Sequence, residues 1–388
     1  MSGSQRGPRP VGYFVHHQGR GHAERAADIA NALIATRPVT VFCARDDIFP
    51  ALDRKIELIR IPSLFEHPGG EDAPVLANQE TPDTLHCAPL GWSTITDAVA
   101  RITQWFARER PALFVTDVSA ELGQLARIAS VPHCAVMQHG RRDDPGHVAA
   151  YRSAVALLAP YSARLEQKDR PSWMREKTIY ASGIGVKAAA FSTREAARKK
   201  LGIDPGEPVT VVIGGGGGSG LPSAPLTLAA RAEPASRWYT LGKIASEWHE
   251  TPPGNLHHRG WVDNPHDWIA ASDRVVSSCG NTTVHMVASA GKPWIVVPEW
   301  RYFAEQVCKA DALEQAGVAA VSMQWPSCAA EWKALFSAAD AIDPADQRAI
   351  THADAAGDVA KAIENLIARI WAGARPVDAV DCKETTET

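Results

Sequence analysis

The chain has 388 residues, 45% of them apolar, which is enough for two hydrophobic cores, so two domains are expected. Forty basic residues stand against forty-four acidic ones, and the net charge of −4 with no basic block excludes a nucleic-acid face. No stretch approaches roughly 18 uninterrupted apolar residues, the opening MSGSQRGPRP lacks an apolar centre, and the seven cysteines form no Cys-x-x-Cys pair, so a cytoplasmic protein with at most a peripheral membrane contact is expected.

Val11–Val15 reads as a buried strand, followed by His16-His17-Gln18-Gly19-Arg20-Gly21-His22 and a helix with Ala23, Ala26, Ala27, Ala30, Leu33 and Ile34 on one face. Glu24, Arg25, Asp28 and Asn31 fall on the polar face. The glycines at 19 and 21 let the backbone turn sharply and put His22 at the helix mouth, on the sheet edge where open α/β folds bind ligands. A histidine there serves as a cap, as a surface group or as a reacting one. Strands follow at 40–43 and 56–61. Residues 62–90 form a long Pro- and Gly-rich loop in which His67 and His86 are read as exposed.

A helix over 92–108 leads to the strand 111–117, which ends in Asp117 on the same edge as His22. Asp117 either caps the helix over 120–129 or orients an imidazole base. The strand 133–137 empties into Gln138-His139-Gly140-Arg141-Arg142, a polar loop whose two arginines read as a solvated charge run. After an amphipathic stretch over 193–200, the strand 208–213 runs into Gly214–Gly218 and Ser219, a loop open enough to wrap an anion. It is no Walker loop, since no Lys-Ser/Thr ends it.

The most informative stretch runs from Arg259 to Gln306. A strand over 274–278 turns through Cys279-Gly280-Asn281 into a helix from Thr282 to Ala290, closed by Gly291, and a second buried strand follows over 294–298. Such a helix start offers unpaired N–H groups to an anion, and Asn281, Thr282 and Thr283 add side-chain donors suited to a phosphate. Gly280, Thr283, Ala288, Ala290, Gly291, Pro293, Pro298, Glu305 and Gln306 together resemble the donor-binding half of GT-B glycosyltransferases of the MurG and UDP-glycosyltransferase kind.

That resemblance implies an α/β fold of two Rossmann-like domains facing each other across a cleft: 1–185 for the acceptor, a linker over 186–205 and 206–354 for the nucleotide-sugar donor. A helix over 355–372 would cross back to the first domain, with 373–388 a disordered tail. It implies an inverting transfer with His22 as general base oriented by Asp117. Gly21, Gly214, Gly215, Gly216, Ser219, Gly280, Asn281, Thr282 and Thr283 would lie around the diphosphate. The Val262 backbone would face the base of a UDP or dTDP donor, and Glu305 and Gln306 the sugar. Trp261 would lie near the base or in the core. No Asp-x-Asp occurs in the chain, so no metal and no cofactor beyond the nucleotide-sugar co-substrate is expected; the acceptor would be a small or lipid-linked molecule. One departure stands out: Met286 occupies the place of the family's ribose-binding Glu, and His285 or Glu299 is the candidate replacement. Two alternatives remain. Gly21-His22 with Arg25 fits MurG-like hydrolases of nucleotide sugars, and Met286 fits a non-catalytic relative.

Overall fold

The computed structural model describes residues 7–70, 73–186, 191–215, 220–245 and 251–373. Seven strands run through the first half: β1 (Val11–Phe14), β2 (Val39–Cys43), β3 (Glu57–Arg60), β4 (Leu113–Asp117), β5 (His133–Val136), β6 (Ala156–Ala159) and β7 (Thr178–Tyr180). They make one parallel sheet in the order β3-β2-β1-β4-β5-β6-β7. β1, β2, β4, β5 and β6 are buried at every position because helices cover both faces, which is why they read as apolar runs without alternation.

The second half repeats the plan with β8 (Val209–Ile213), β9 (Leu221–Pro222), β10 (Arg237–Leu241), β11 (Ile244–Ala245), β12 (Leu256–His258), β13 (Arg274–Ser277), β14 (Trp294–Val296) and β15 (Ala320–Val321). β9 and β11 pair separately, and the rest form a parallel sheet in the order β12-β10-β8-β13-β14-β15. In each sheet the chain starts in the middle, steps outward on one side, then returns to build the other. The direction reverses between β1 and β4 and again between β8 and β13, and loops leaving such a pair part to open a crevice at the carboxyl ends.

The helix Arg194–Leu201 packs on the helix Pro265–Ala271, and its Arg198 donates to the Ala271 carbonyl at 2.9 Å and to Asp273 at 2.7 Å. The long helix Ala355–Ile370 crosses back as expected: Val359, Ile363, Leu366 and Ile367 are buried with Val11, Tyr13, Ala26 and Ile29 of the first half. Trp371 Nε1 anchors its end on the Ala112 carbonyl at 2.9 Å. The expected tail lies almost wholly outside the described residues. Among these, no helix is long and apolar enough to cross a membrane, and six cysteines are free.

Several histidines are locked inside as neutral rings. Burial lowers His16 to about 3 and His133 and His285 to about 4, and holds His139 well below 6.5. Unfolded, each titrates near its ordinary value of 6.5, so below that pH the unfolded chain binds protons that the native one does not. Their contribution is fully present above 6.5 and falls as pH drops toward 4. The thermal midpoint, followed by calorimetry, is expected to decline steadily over that window, and a flat profile would contradict this.

Candidate active site

The first helix begins straight after Gly19, whose φ of 100° suits glycine and turns the chain off β1. The helix Arg20–Leu33 therefore carries His22 in its first turn, above the carboxyl end of the sheet, with 18% of the side chain exposed. Asp117, the last residue of the neighbouring β4, is fully buried, and its Oδ1 lies 3.0 Å from His22 Nδ1. The next residue, Val118, has a φ of 52°, a strained conformation for a β-branched side chain, at the turn that aims Asp117. Ser119, not Asp117, caps the following helix by accepting from Leu122 N, so Asp117 is left for His22.

Arg25, one turn after His22, was expected on the polar face. Instead it is 3% exposed, because Asp117 draws it inward. Its Nε donates to Asp117 Oδ2 at 2.8 Å and its Nη2 donates to Oδ1. Burial alone would push the Asp117 carboxyl up, but Arg25 and His22 overcome it and hold the group well below the ordinary carboxylate range.

This arrangement surrounds His22 Nδ1 with polar partners. Arg25 Nη2 also lies 2.7 Å from His22 Nδ1. With the Gln138 amide oriented to donate to Glu305 Oε1 at 2.8 Å, its oxygen accepts from Arg25 Nη2 at 3.0 Å. Nη2, with two hydrogens, thus faces three groups: Asp117 Oδ1, the Gln138 oxygen and His22 Nδ1. A ring proton on Nδ1, donated to Asp117, leaves Nε2 with a free lone pair. His16 crowds the same ring at 5.3 Å between centroids, kept neutral by burial and then by His22 itself.

Across the crevice, the helix Asn281–Ala290 starts after Gly280 with no side-chain cap on its first N–H groups. Their partial positive charge, about half an elementary charge for a helix end, is left for an anion. The predicted side-chain donors are partly engaged: Asn281 Oδ1 accepts from Lys309 Nζ, and Thr282 Oγ1 donates to Glu24 Oε2 at 3.1 Å. Gln306 Oε1 accepts from Cys279 N at 3.1 Å and Glu299 N at 2.9 Å, so its amide oxygen is used to hold the turn. Glu305 is paired with Arg142 at 2.9 Å; burial pushes its carboxyl up, but Lys309 and Arg142 outweigh that and keep it ionised. Arg142, read as solvated, is thus a correction: its side chain is only 7% exposed, because it spans the crevice to Glu305.

Gly214 and Gly215 follow β8 at the second reversal point, and a Cβ on Gly215 would lie 3.5 Å from Ser278 Oγ. Gly216 and Ser219 fall outside the described residues. Val262 is half-buried against the core, while Trp261 is 60% exposed, so the core placement for that tryptophan fails. Met286 is buried among apolar side chains. His285 is fully buried too, with Nε2 3.0 Å from the Pro160 carbonyl, which removes it as the replacement for a ribose ligand. Glu299 remains: its Oε2, paired with Arg301 at 2.6 Å, faces Gly215.

The two halves form one crevice. A Cβ on Gly21 would come within 3.2 Å of Thr282 Oγ1, so glycine is what lets the His22 turn approach the Asn281 helix. Arg141 N donates to the Phe303 carbonyl at 2.7 Å, and a Cβ on Gly140 would strike the same oxygen. Lys309 escaped the sequence reading. Its one signal is its place beside Gln306, Ala310 and Leu313 on the buried face of the helix Glu305–Gln315. Among the described residues, His86, Asp144 and His147 bring three possible metal-ligand atoms within 4.8 Å of one another, but they flank Phe303 and not the first turn of the Asn281 helix. His67 and His86 are exposed loop residues, as read.

No family model and no curated protein matches the chain. Solved structures do. MurG of Acinetobacter baumannii shares 14% identity at a TM-score of 0.61, over 92% of this chain and 100% of its own. Medicago truncatula UGT71G1, solved with UDP-glucose, shares 15% at 0.63, over 93% of this chain and 98% of its own. The spinosyn forosaminyltransferase SpnP shares 12% at 0.63, over 94% and 100%. With its two reversal points closed onto one crevice and its last helix crossing back, the chain has the fold of the GT-B glycosyltransferases.

Proposed function

We propose that the protein is an inverting, metal-independent glycosyltransferase that moves a sugar from a nucleotide diphosphate sugar to an acceptor hydroxyl. The observation that carries this is an imidazole whose Nδ1 lies 3.0 Å from a buried carboxylate, across one crevice from an uncapped helix start. In the reaction, His22 Nε2 takes the acceptor proton as the oxygen attacks the anomeric carbon. The bond to the diphosphate breaks on the opposite side, and its electron pair leaves with the nucleoside diphosphate. Asp117 steadies the imidazolium. The N–H groups of 281–283, with the buried Lys309 ammonium behind Asn281, face the developing charge where other enzymes use a metal. Glu299 is the proposed ribose contact in place of Met286.

The bound partners of the similar structures, UDP-glucose among them, make UDP the first donor to test. Calorimetry with UDP, dTDP and GDP tests the reading, and silence toward all three removes it in favour of a non-catalytic relative. EDTA is expected to leave transfer within about twofold of its untreated rate; a strict divalent-ion requirement would contradict the helix-start account.

A second reading, hydrolysis of the same donor, draws on the Gly21-His22-x-x-Arg25 spacing and on Arg25 being built into the dyad. Product analysis separates the two. Free sugar released at full rate without an acceptor favours the hydrolase.

A further inference from the structure

The chain that follows β2 and β3 walls a cavity of ≈ 560 Å³ at the carboxyl edge of the first sheet. A space of this size holds a small organic molecule. A row of rings joins it to the proposed base: the His17 ring lines it, His16 lies 5.6 Å from His17, and His22 lies 5.3 Å from His16, centroid to centroid.

The lining is basic in a chain whose net charge is −4. Arg45, Arg60 and Arg101 face a single lining carboxylate, Glu66, which is held by His17 at 3.0 Å. Arg45 is satisfied by Asp47 at 2.9 Å. Arg60 and Arg101, both exposed, form no ion pair among the described residues, although the Asp47 carboxylate acts on Arg60 at longer range. Each side chain is steadied by one main-chain oxygen, Arg60 Nε donating to the Ala44 carbonyl at 3.3 Å and Arg101 Nη1 to the Arg60 carbonyl at 2.8 Å. Among the described residues the remaining N–H groups of both guanidinium forks have no protein acceptor. Thr94 in the same wall has a buried hydroxyl with no hydrogen-bond partner. Two guanidinium groups beside an unused hydroxyl suit a planar or tetrahedral oxyanion.

We infer that this cavity takes an acceptor bearing an anionic group, a carboxylate or a phosphate monoester, which Arg60 and Arg101 bind while its hydroxyl reaches His22. The inference rests on the transferase reading for the fate of the hydroxyl, but not for the anion. The test uses 3-(4-hydroxyphenyl)propionate, 4-hydroxyphenethyl phosphate and the neutral amide of the first as binding probes for the full chain, read by calorimetry. At least one of the two anions is expected to bind about tenfold or more tighter than the amide. The tighter of the two anions tells carboxylate from phosphate. Arg60→Gln together with Arg101→Gln should erase the preference, and Arg60→Lys with Arg101 kept should retain part of it; circular dichroism checks the fold of each. Equal affinity for all three probes, no binding of any, or a preference that survives the double substitution overturns the inference. UDP titrated into the same samples keeps the failures apart. Nucleotide binding without an anion preference removes this inference alone, while an anion preference without nucleotide binding removes the transferase reading.

Discussion

Replacing His22 by alanine is expected to lower sugar transfer by about 10²–10⁴-fold, the usual range for loss of a positioned general base, while the Kd for the nucleoside diphosphate stays within about twofold. The separation follows from the geometry. His22 sits on the first-domain side and contacts Asp117, Arg25 and His16. The proposed phosphate cradle is backbone of the second domain, which the substitution does not touch. The loss should therefore fall on kcat. Unchanged turnover in the variant would take His22 out of the mechanism.

The second large effect concerns the buried pair beneath it. Asp117→Ala leaves the Arg25 guanidinium, 3% exposed, without its carboxylate. An uncompensated buried charge of this kind costs about 3–5 kcal/mol. Chemical denaturation should show that loss, and activity should fall with it, because His22 loses the group that orients its proton. The double variant Arg25→Met with Asp117→Leu removes both charges together and should recover most of the stability. It should not recover transfer. If Asp117→Ala costs less than about 1 kcal/mol, the pair is not the buried ion pair described here.

Much of this was legible because parallel sheets bury their strands on both faces. The runs at 11–15, 209–213 and 274–277 stand out as apolar stretches, each followed by glycine or a turn, and so the two strand edges were found before their partners were known. β7 and β15, three and two residues long, carry too little pattern to be seen. The site was half legible. His22 and Asp117 announce themselves by position, at a helix mouth and a strand end. Arg25, Arg142 and Lys309 do not, since a charged side chain reads as solvated until its partner is known. Asp117 lies 92 positions from Arg25, and Glu305 lies 163 from Arg142. Met286 stands where the resemblance implies a ribose-binding Glu. Only packing shows that its neighbour His285 is tied to Pro160 and cannot stand in, which leaves Glu299 as the proposed ribose contact.

The central claim is that a nucleoside diphosphate is held by bare backbone at the start of the Asn281 helix, facing His22. A crystal structure of the protein with UDP tests it most directly. The account predicts the diphosphate oxygens within hydrogen-bonding distance of the backbone N–H groups of residues 281–283, in the crevice that Gly21 and Thr282 close. Nucleotide density on any other surface, or a crevice in which the His22 turn and the Asn281 helix stand apart, would contradict it.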